Sequence, residues 1–294
     1  MATGKEVSRM RVLITGGKGQ LGKDLARVLT EKGNYHIISV DRGEMDISDA
    51  RQTWKVILDN KPQVIIHAGA NTNVDGCELD PDNAYLVNGL GTRNVAVAAQ
   101  EINAKLVYYS TDYVFDGKGS KPYEELDPVN PQSGYGRSKL AGEEFVKAFC
   151  NRFFIVRTAW VFGKFGNNFV KTILRLAGEK DELAIVHDQV GSPTYTYDLA
   201  QFTEEFINTS LYGYYHATNS GTCSWYEFTK AILEEAGTQG VKVKPITSQE
   251  LSRPAPRPAY SVLSDRSIRL NGFKPLRPWR EALRGYLEDV KRDG

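Results

Sequence analysis

Tyr135 and Lys139 stand four residues apart in the run Tyr135-Gly136-Arg137-Ser138-Lys139, at the start of a stretch with helical patterning. Their side chains therefore leave one face of a helix. A free phenol titrates near pH ~10 and is a poor acid–base group at neutrality, but a neighbouring ammonium stabilises the phenolate and draws that value down. The same spacing on a solvated helix face would do nothing, so position decides. Ser110-Thr111-Asp112 ends an apolar run and falls at the carboxyl end of a strand, the edge where open α/β sheets bind ligands. A hydroxyl at Thr111 can hydrogen-bond a carbonyl oxygen as it gains charge; the bland use of a threonine there is a helix cap or turn. Thr111, Tyr135 and Lys139 are thus the candidate catalytic set for proton transfer at a carbonyl or alcohol oxygen.

A second motif supplies the matching partner chemistry. Thr15-Gly16-Gly17-Lys18-Gly19-Gln20-Leu21-Gly22 follows the first strand directly and opens the first helix, with glycines at 16, 19 and 22. The tight turn, the close approach of backbone to a pyrophosphate and the packing of helix on strand each need a missing side chain, and the helix N-terminus attracts the phosphate charge. Asp41 ends the second strand about twenty residues on, where a carboxylate accepts hydrogen bonds from an adenosine ribose. Arg42 follows it and Lys18 lies in the glycine turn, so two cations are at hand for a ribose 2′-phosphate. The pattern leaves NADH and NADPH both open, with dual use as the expectation.

These residues need a parallel sheet to position them. Apolar runs at 11–15, 36–40, 64–67, 106–110 and 154–157 alternate with helical patterns at 20–31, 83–100 and 135–149, the signature of βαβ units. The fold class expected is α/β, a Rossmann-like doubly wound parallel sheet with a smaller C-terminal α/β substrate domain. Residues 1–157 form the dinucleotide-binding domain with the catalytic residues. Residues 158–294, broken by Gly191, Pro193 and the proline-rich 253–258, are mainly the substrate domain, and the chain can still return to the first sheet. The chain of 294 residues is 41% hydrophobic with a formal charge of +1, which gives no electrostatic reason to expect nucleic acid or an anionic membrane as partner. Cys77, Cys150 and Cys223 lie far apart without CxxC pairing and read as reduced thiols of a cytoplasmic protein, with no zinc site. No apolar run reaches membrane-spanning length, and Met1–Arg9 reads as a disordered leader without the apolar centre of a signal peptide.

The glycine triplet, the helix motif Ala84-x-x-x-Asn88-x-x-Gly91-Thr92-x-Asn94-Val95, the Ser110-Thr111 strand end and Tyr135-x-x-x-Lys139 together resemble the extended short-chain dehydrogenases/reductases. A narrower resemblance, to the dTDP-4-dehydrorhamnose reductase family, is carried by Ser110-Thr111-Asp112-Tyr113-Val114-Phe115, Lys139-Leu140-Ala141-Gly142-Glu143, Arg157-Thr158-Ala159-Trp160-Val161, Gly166-Asn167-Asn168-Phe169 and Asp188-Gln189-x-Gly191-x-Pro193-Thr194. These runs span most of the chain in order. The resemblance implies reduction of the C4 ketone of dTDP-4-dehydro-L-rhamnose, with NADPH or NADH as cofactor and the nucleotide sugar as partner of a monomer or homodimer. It implies that Gly16, Gly19, Gln20, Leu21 and Gly22 surround the pyrophosphate, Asp41 and Arg42 the adenosine ribose, Asp46 and Ile47 the adenine, and that Ala68, Gly69, Ala70, Asn88 and Ser110 complete the cofactor site with Tyr135 and Lys139. Thr111 and Asp112 would face the sugar, with Trp160 as an aromatic wall. Asp24 stands where that family's metal-mediated dimer has a glutamate, and no metal is expected. Arg253, Arg257 and Lys274 are weaker candidates for the substrate diphosphate. A 4,6-dehydratase of this fold would want a glutamate where Tyr113 stands; a 4-epimerase remains open, as does a non-catalytic partner protein resembling the regulatory subunit of methionine adenosyltransferase.

Overall fold

The computed structural model describes residues 9–292, so the expected leader lies, but for Arg9, outside the described residues. Five strands come where the apolar runs predict them: β1 (Met10–Thr15), β2 (Tyr35–Val40), β3 (Val64–His67), β4 (Lys105–Thr111) and β5 (Phe153–Thr158). A sixth, Gly213–His216, pairs in parallel with β5, and the sheet runs Gly213–His216, β5, β4, β3, β1, β2. Every pairing in it is parallel. Val12, Leu13 and Ile14, Val64 to Ile66 and Leu106 to Tyr108 are fully or almost fully buried. Continuous β-branched and apolar runs of this kind suit strands covered on both faces.

Helices supply the two covers. On one side α1 (Gln20–Lys32) buries Leu25, Val28 and Leu29 with Phe202 and Phe206 of the helix Thr196–Ile207. On the other, α2 (Ala50–Asn60), the helix Thr92–Glu101 and the helix Gly134–Phe149 bury Ile57, Val95, Ala99 and Val146. The stretch read as one helix from residue 83 is instead broken: Tyr85–Gly91 forms a π-helix before Thr92–Glu101 begins. The wider turn places Asn88 inward, where its side chain is held by Asn71 and Ser138, and such bulges recur at functional sites.

After β5 the chain builds a second core from Phe162, Ile173, Leu183, Phe228, Leu283 and Tyr286. Its strands are short: Glu182–Val186 pairs with Lys242–Ile246, and Val161–Phe162 with Thr194–Tyr195. Between these pieces the helix Thr196–Ile207 and the strand Gly213–His216 go back to the first sheet. The chain steps from β1 to β2 on one side and to β3 and β4 on the other, so the order reverses beside β1. The crevice at the carboxyl ends there is where open sheets of this kind bind ligands. All three cysteines are buried and free, and among the described residues no helix is long and apolar enough to cross a membrane.

Candidate active site

A cleft of about 930 Å³ opens along the carboxyl ends of β1, β3, β4 and β5. At its base the glycine turn leaves no room for side chains. Gly16 has φ +65°, and a Cβ there would lie 2.8 Å from the backbone of Gly69; a Cβ on Gly22 would lie 2.2 Å from the Gly16 carbonyl oxygen. Gly19, Leu21 and Gly69 line the same cradle, and Gln20 ties it to the opposite wall by accepting from the Asn168 amide at 2.9 Å. Asp41 accepts the Lys18 N–H at 2.9 Å and the Arg42 N–H at 2.8 Å, which locks the turn to the end of β2. The Lys18 ammonium rests on Glu44 at 2.8 Å and Arg42 on Asp46 at 3.1 Å; Arg42 and Asp46 line the cleft, whereas Lys18 and Glu44 do not. Ile47, Ala68 and Ala70 continue the wall. A cradle that any Cβ would fill, with a carboxylate beyond it, fits the pyrophosphate and ribose of a dinucleotide.

Asn88 does not line this cleft. Its Oδ1 accepts the Asn71 N–H at 2.8 Å, and its Nδ2 donates to the Asn71 carbonyl and to Ser138 Oγ, each at 3.0 Å. It is buried behind the wall and holds Asn71, which does face the cleft.

The other end of the cleft gathers the candidate catalytic residues. Thr111 ends β4, donates to Asp112 Oδ1 at 2.9 Å and accepts the Tyr113 N–H at 3.2 Å, so it caps a short turn and also fronts the cavity. Tyr135 lies in the first turn of the helix Gly134–Phe149, which Ser133 caps by accepting the Gly136 N–H at 3.1 Å. Lys139 sits one turn on, its ammonium 4.2 Å from the centre of the Tyr108 ring. Burial pushes the Tyr135 phenol up and the negative charge of Asp112 adds to this, while the nearby Thr111 hydroxyl works the other way. Burial brings Lys139 down to about 7, opposed by Glu143. The expectation that the ammonium draws the phenol down is therefore not met: both groups are taken from water, so both charged forms are penalised. Asp112 is pushed up to about 6 by burial, and its second oxygen faces the Ser261 hydroxyl without a well-formed hydrogen bond.

Trp160 forms the outer wall. Its φ of +48° is unusual for an aromatic residue, and its indole stacks on Trp225 with centroids 3.6 Å apart and 7° between planes. A Cβ at Gly191 would come within 2.6 Å of that indole, so the glycine makes room for it. Backbone strain held by packing in this way collects at ligand sites. The lining also includes Asn71, Tyr113, Val161, Gly166 and Asn167, to which no role was assigned from sequence; the runs Val161 and Gly166-Asn167 were visible only as pattern.

The basic candidates separate. Asp75 grips Arg257 by two hydrogen bonds of 2.8 and 2.9 Å, and Arg257 lines a smaller cavity of about 290 Å³ next to Tyr113. Arg253 and Lys274 are exposed and line neither cavity. Asp24 is buried under the second core and bonds Thr196, while Arg27 holds Asp289 at 2.6 Å. Among the described residues no group of three or more His, Cys, Asp or Glu side chains is arranged to hold a metal ion.

A doubly wound sheet with a glycine cradle at its switch point and a Thr-Tyr-Lys corner at the other end of the same cleft defines an extended short-chain dehydrogenase/reductase. The chain belongs, within that class, to the dTDP-4-dehydrorhamnose reductase family: residues 10–292 match the family described as RmlD substrate binding domain. It is 46% identical over 279 residues to the spore coat polysaccharide biosynthesis protein SpsK of Bacillus subtilis, covering 95% of this chain and 97% of that protein. It is 36% identical over 293 residues to dTDP-4-dehydrorhamnose reductase of Escherichia coli, covering 96% and 98%. The crystal structure of dTDP-4-dehydrorhamnose reductase from Bacillus anthracis in complex with NADP superposes with a TM-score of 0.94 at 46% identity, covering 96% of this chain and 99% of that one.

Proposed function

We propose that this protein reduces the C4 ketone of dTDP-4-dehydro-L-rhamnose to the alcohol of dTDP-L-rhamnose, with NADPH or NADH as reductant. The observation that carries the reading is the single cleft joining the glycine cradle to Thr111, Tyr135 and Lys139, in a chain with full-length relatives named dTDP-4-dehydrorhamnose reductase. When bound, the reduced nicotinamide supplies a hydride to the carbonyl carbon. Tyr135 gives its proton to the oxygen as it becomes an alkoxide, and burial keeps that proton on the phenol until then. Thr111 turns its hydroxyl from Asp112 to the same oxygen. Lys139 holds the nicotinamide ribose and carries positive charge beside the phenolate that remains. Gly16, Gly19, Gln20, Leu21 and Gly22 hold the pyrophosphate, Asp41 and Arg42 the adenosine ribose, and Asp46, Ile47 and Ala68 to Ala70 the rest of the nucleotide. Trp160 and Asp112 bound the hexose.

In this reading the dinucleotide unit is residues up to 157 together with the returning segments 196–217 and 266–276, whose Ile268, Phe273 and Leu276 pack on the first core, and the rest of the second half is the substrate unit. The enzyme works in the cytoplasm, where its three buried cysteines stay reduced, as a monomer or homodimer. The test is oxidation of NADPH and of NADH at the nicotinamide absorbance with enzymatically generated dTDP-4-dehydro-L-rhamnose. One nicotinamide oxidised per dTDP-rhamnose formed is the expected result. No oxidation by folded protein that binds the cofactor overturns the reading.

A further inference from the structure

The helix that carries Tyr135 and Lys139 carries Glu143 one further turn on, and nothing in the reaction as described uses it. Its carboxylate is fully buried and completely engaged. Arg157 of β5 meets it as a fork, Nε to Oε1 at 2.9 Å and Nη2 to Oε2 at 2.7 Å, and Ser110 of β4 donates to Oε1 at 2.5 Å. The pair is nearly dry, with side-chain exposures of 4% for Arg157 and 1% for Glu143. Arg157 is in turn fixed by the Glu125 carbonyl at 3.0 Å and lies against the rings of Phe115 and Tyr214, each 5.0 Å away.

A buried ion pair is weak evidence for stability, because desolvation offsets most of the attraction and apolar replacement is often neutral. What this one does by position is join three elements of the corner. Ser110 immediately precedes Thr111 on β4, and Lys139 lies one helical turn before Glu143. Among the described residues no carboxylate forms an ion pair with Lys139. The groups facing it are Glu143 of its own helix, the Tyr108 ring of β4, His67 of β3 and Cys77 of the helix Val74–Leu79. His67 is kept neutral by burial and the Cys77 thiol is pushed up, so Glu143 is the formal negative charge in that set. Burial alone draws Lys139 towards its neutral form, and Glu143 is the largest influence in the other direction.

We propose that Glu143 is a positioning residue of the catalytic corner: clamped by Arg157 and Ser110, it ties the strand end bearing Thr111 to the helix turn bearing Lys139 and supplies the negative charge that Lys139 faces. The inference rests on the reading of Lys139 as a working cation. Without Glu143 the ammonium would lose its proton at lower pH, and activity would fall on the alkaline side sooner.

Glu143→Gln removes the charge, and Glu143→Gln with Arg157→Met removes the pair, so that the second variant leaves no buried unpaired arginine if the first folds poorly. The pKa of Lys139 is read directly from its ε-carbon NMR signal in labelled protein, assigned by loss of the signal in Lys139→Met. A downward shift of about one unit or more in either folded variant, the usual size of a near-charge effect, with the alkaline limb of kcat moving by the same amount, is the expected result. An unshifted Lys139 signal in a folded variant overturns the proposal. Full turnover by Lys139→Met would instead overturn the catalytic reading of Lys139, and the NMR shift keeps the two failures apart.

Discussion

In the proposed reduction Tyr135 releases a proton from a place where burial makes its phenol a weaker acid than in water. For reduction that is an advantage, since the group must arrive protonated and needs to yield only to an alkoxide, a far stronger base. Tyr135→Phe removes that proton and little else, because the ring keeps its edge contact with Tyr113 at 5.6 Å. General acid catalysis is worth roughly two to four orders of magnitude, so kcat should fall by that factor while cofactor affinity, followed by nicotinamide fluorescence, stays within about twofold. Substantial surviving turnover would remove Tyr135 from the mechanism. That Thr111, Tyr135 and Lys139 meet in one cleft was legible from sequence because the spacing is local: four residues on one helix face, and a hydroxyl at a strand end. Asn88 was not, since the π-turn that swings it behind Asn71 leaves no periodic trace. The direction of the Tyr135 shift was not legible either, because it depends on how much water the assembled walls exclude.

At the scale of elements, β1 to β5, α1 and the helix Gly134–Phe149 lie within a residue or two of where their apolar periods place them, as strands buried on both faces should. The strand Gly213–His216 was missed. Its Gly-Tyr-Tyr-His lacks the β-branched aliphatic run that marks the equally short β3, and it is a strand because β5 offers an edge. The joint between the two cores was equally hidden, and Asp24 sits in it. On α1 it hydrogen-bonds Thr196 at the start of the helix Thr196–Ile207, with Oδ1 unpaired. Burial raises its carboxyl to about 6, with Arg27 and Lys164 opposing. A folded pKa above the unfolded value means that the native state holds the extra proton, so the contribution of Asp24 to stability is full below about pH 4 and is lost as pH rises through 6. Asp24→Asn removes that loss. The variant should be more stable than the parent by roughly 1–3 kcal/mol at pH 7.5 and equal to it near pH 4, read from urea midpoints at the two pH values. A variant less stable at pH 7.5 would mean that the charge of Asp24 holds the joint together.

For the whole molecule, four buried groups set the response to acid. His67, bonded to Thr15 at 2.7 Å and Thr92 at 3.1 Å, and His216, beside Arg157, are both pushed down to about 3 by burial. The unfolded chain protonates them near 6.5, so stability is lost as pH falls from there towards 3. Asp24 and Asp112, both raised to about 6, act with the opposite sign: the native state takes up their protons between about 6 and 4, which adds stability over that window. Two protons favour each state, so the contributions nearly cancel between pH 6 and 4. Below 4 the carboxyls are protonated in both states, and the histidines act unopposed. Glu235, held near 2 by Arg284 and Arg280, and Asp75, held down by Arg257, add to the loss there, the exposed pair only weakly. Unfolding free energy should therefore be nearly level from pH 6 to 4 and then drop by about 2.7 kcal/mol per pH unit or more, the slope for two protons. With Asp24→Asn and Asp112→Asn combined, the level stretch should vanish and the decline begin near pH 6. A parent protein that already declines steadily from pH 6.5 would show that the two aspartates are ionised in the fold, and the carboxyl of Asp112 would then front the cleft as a charge at every working pH.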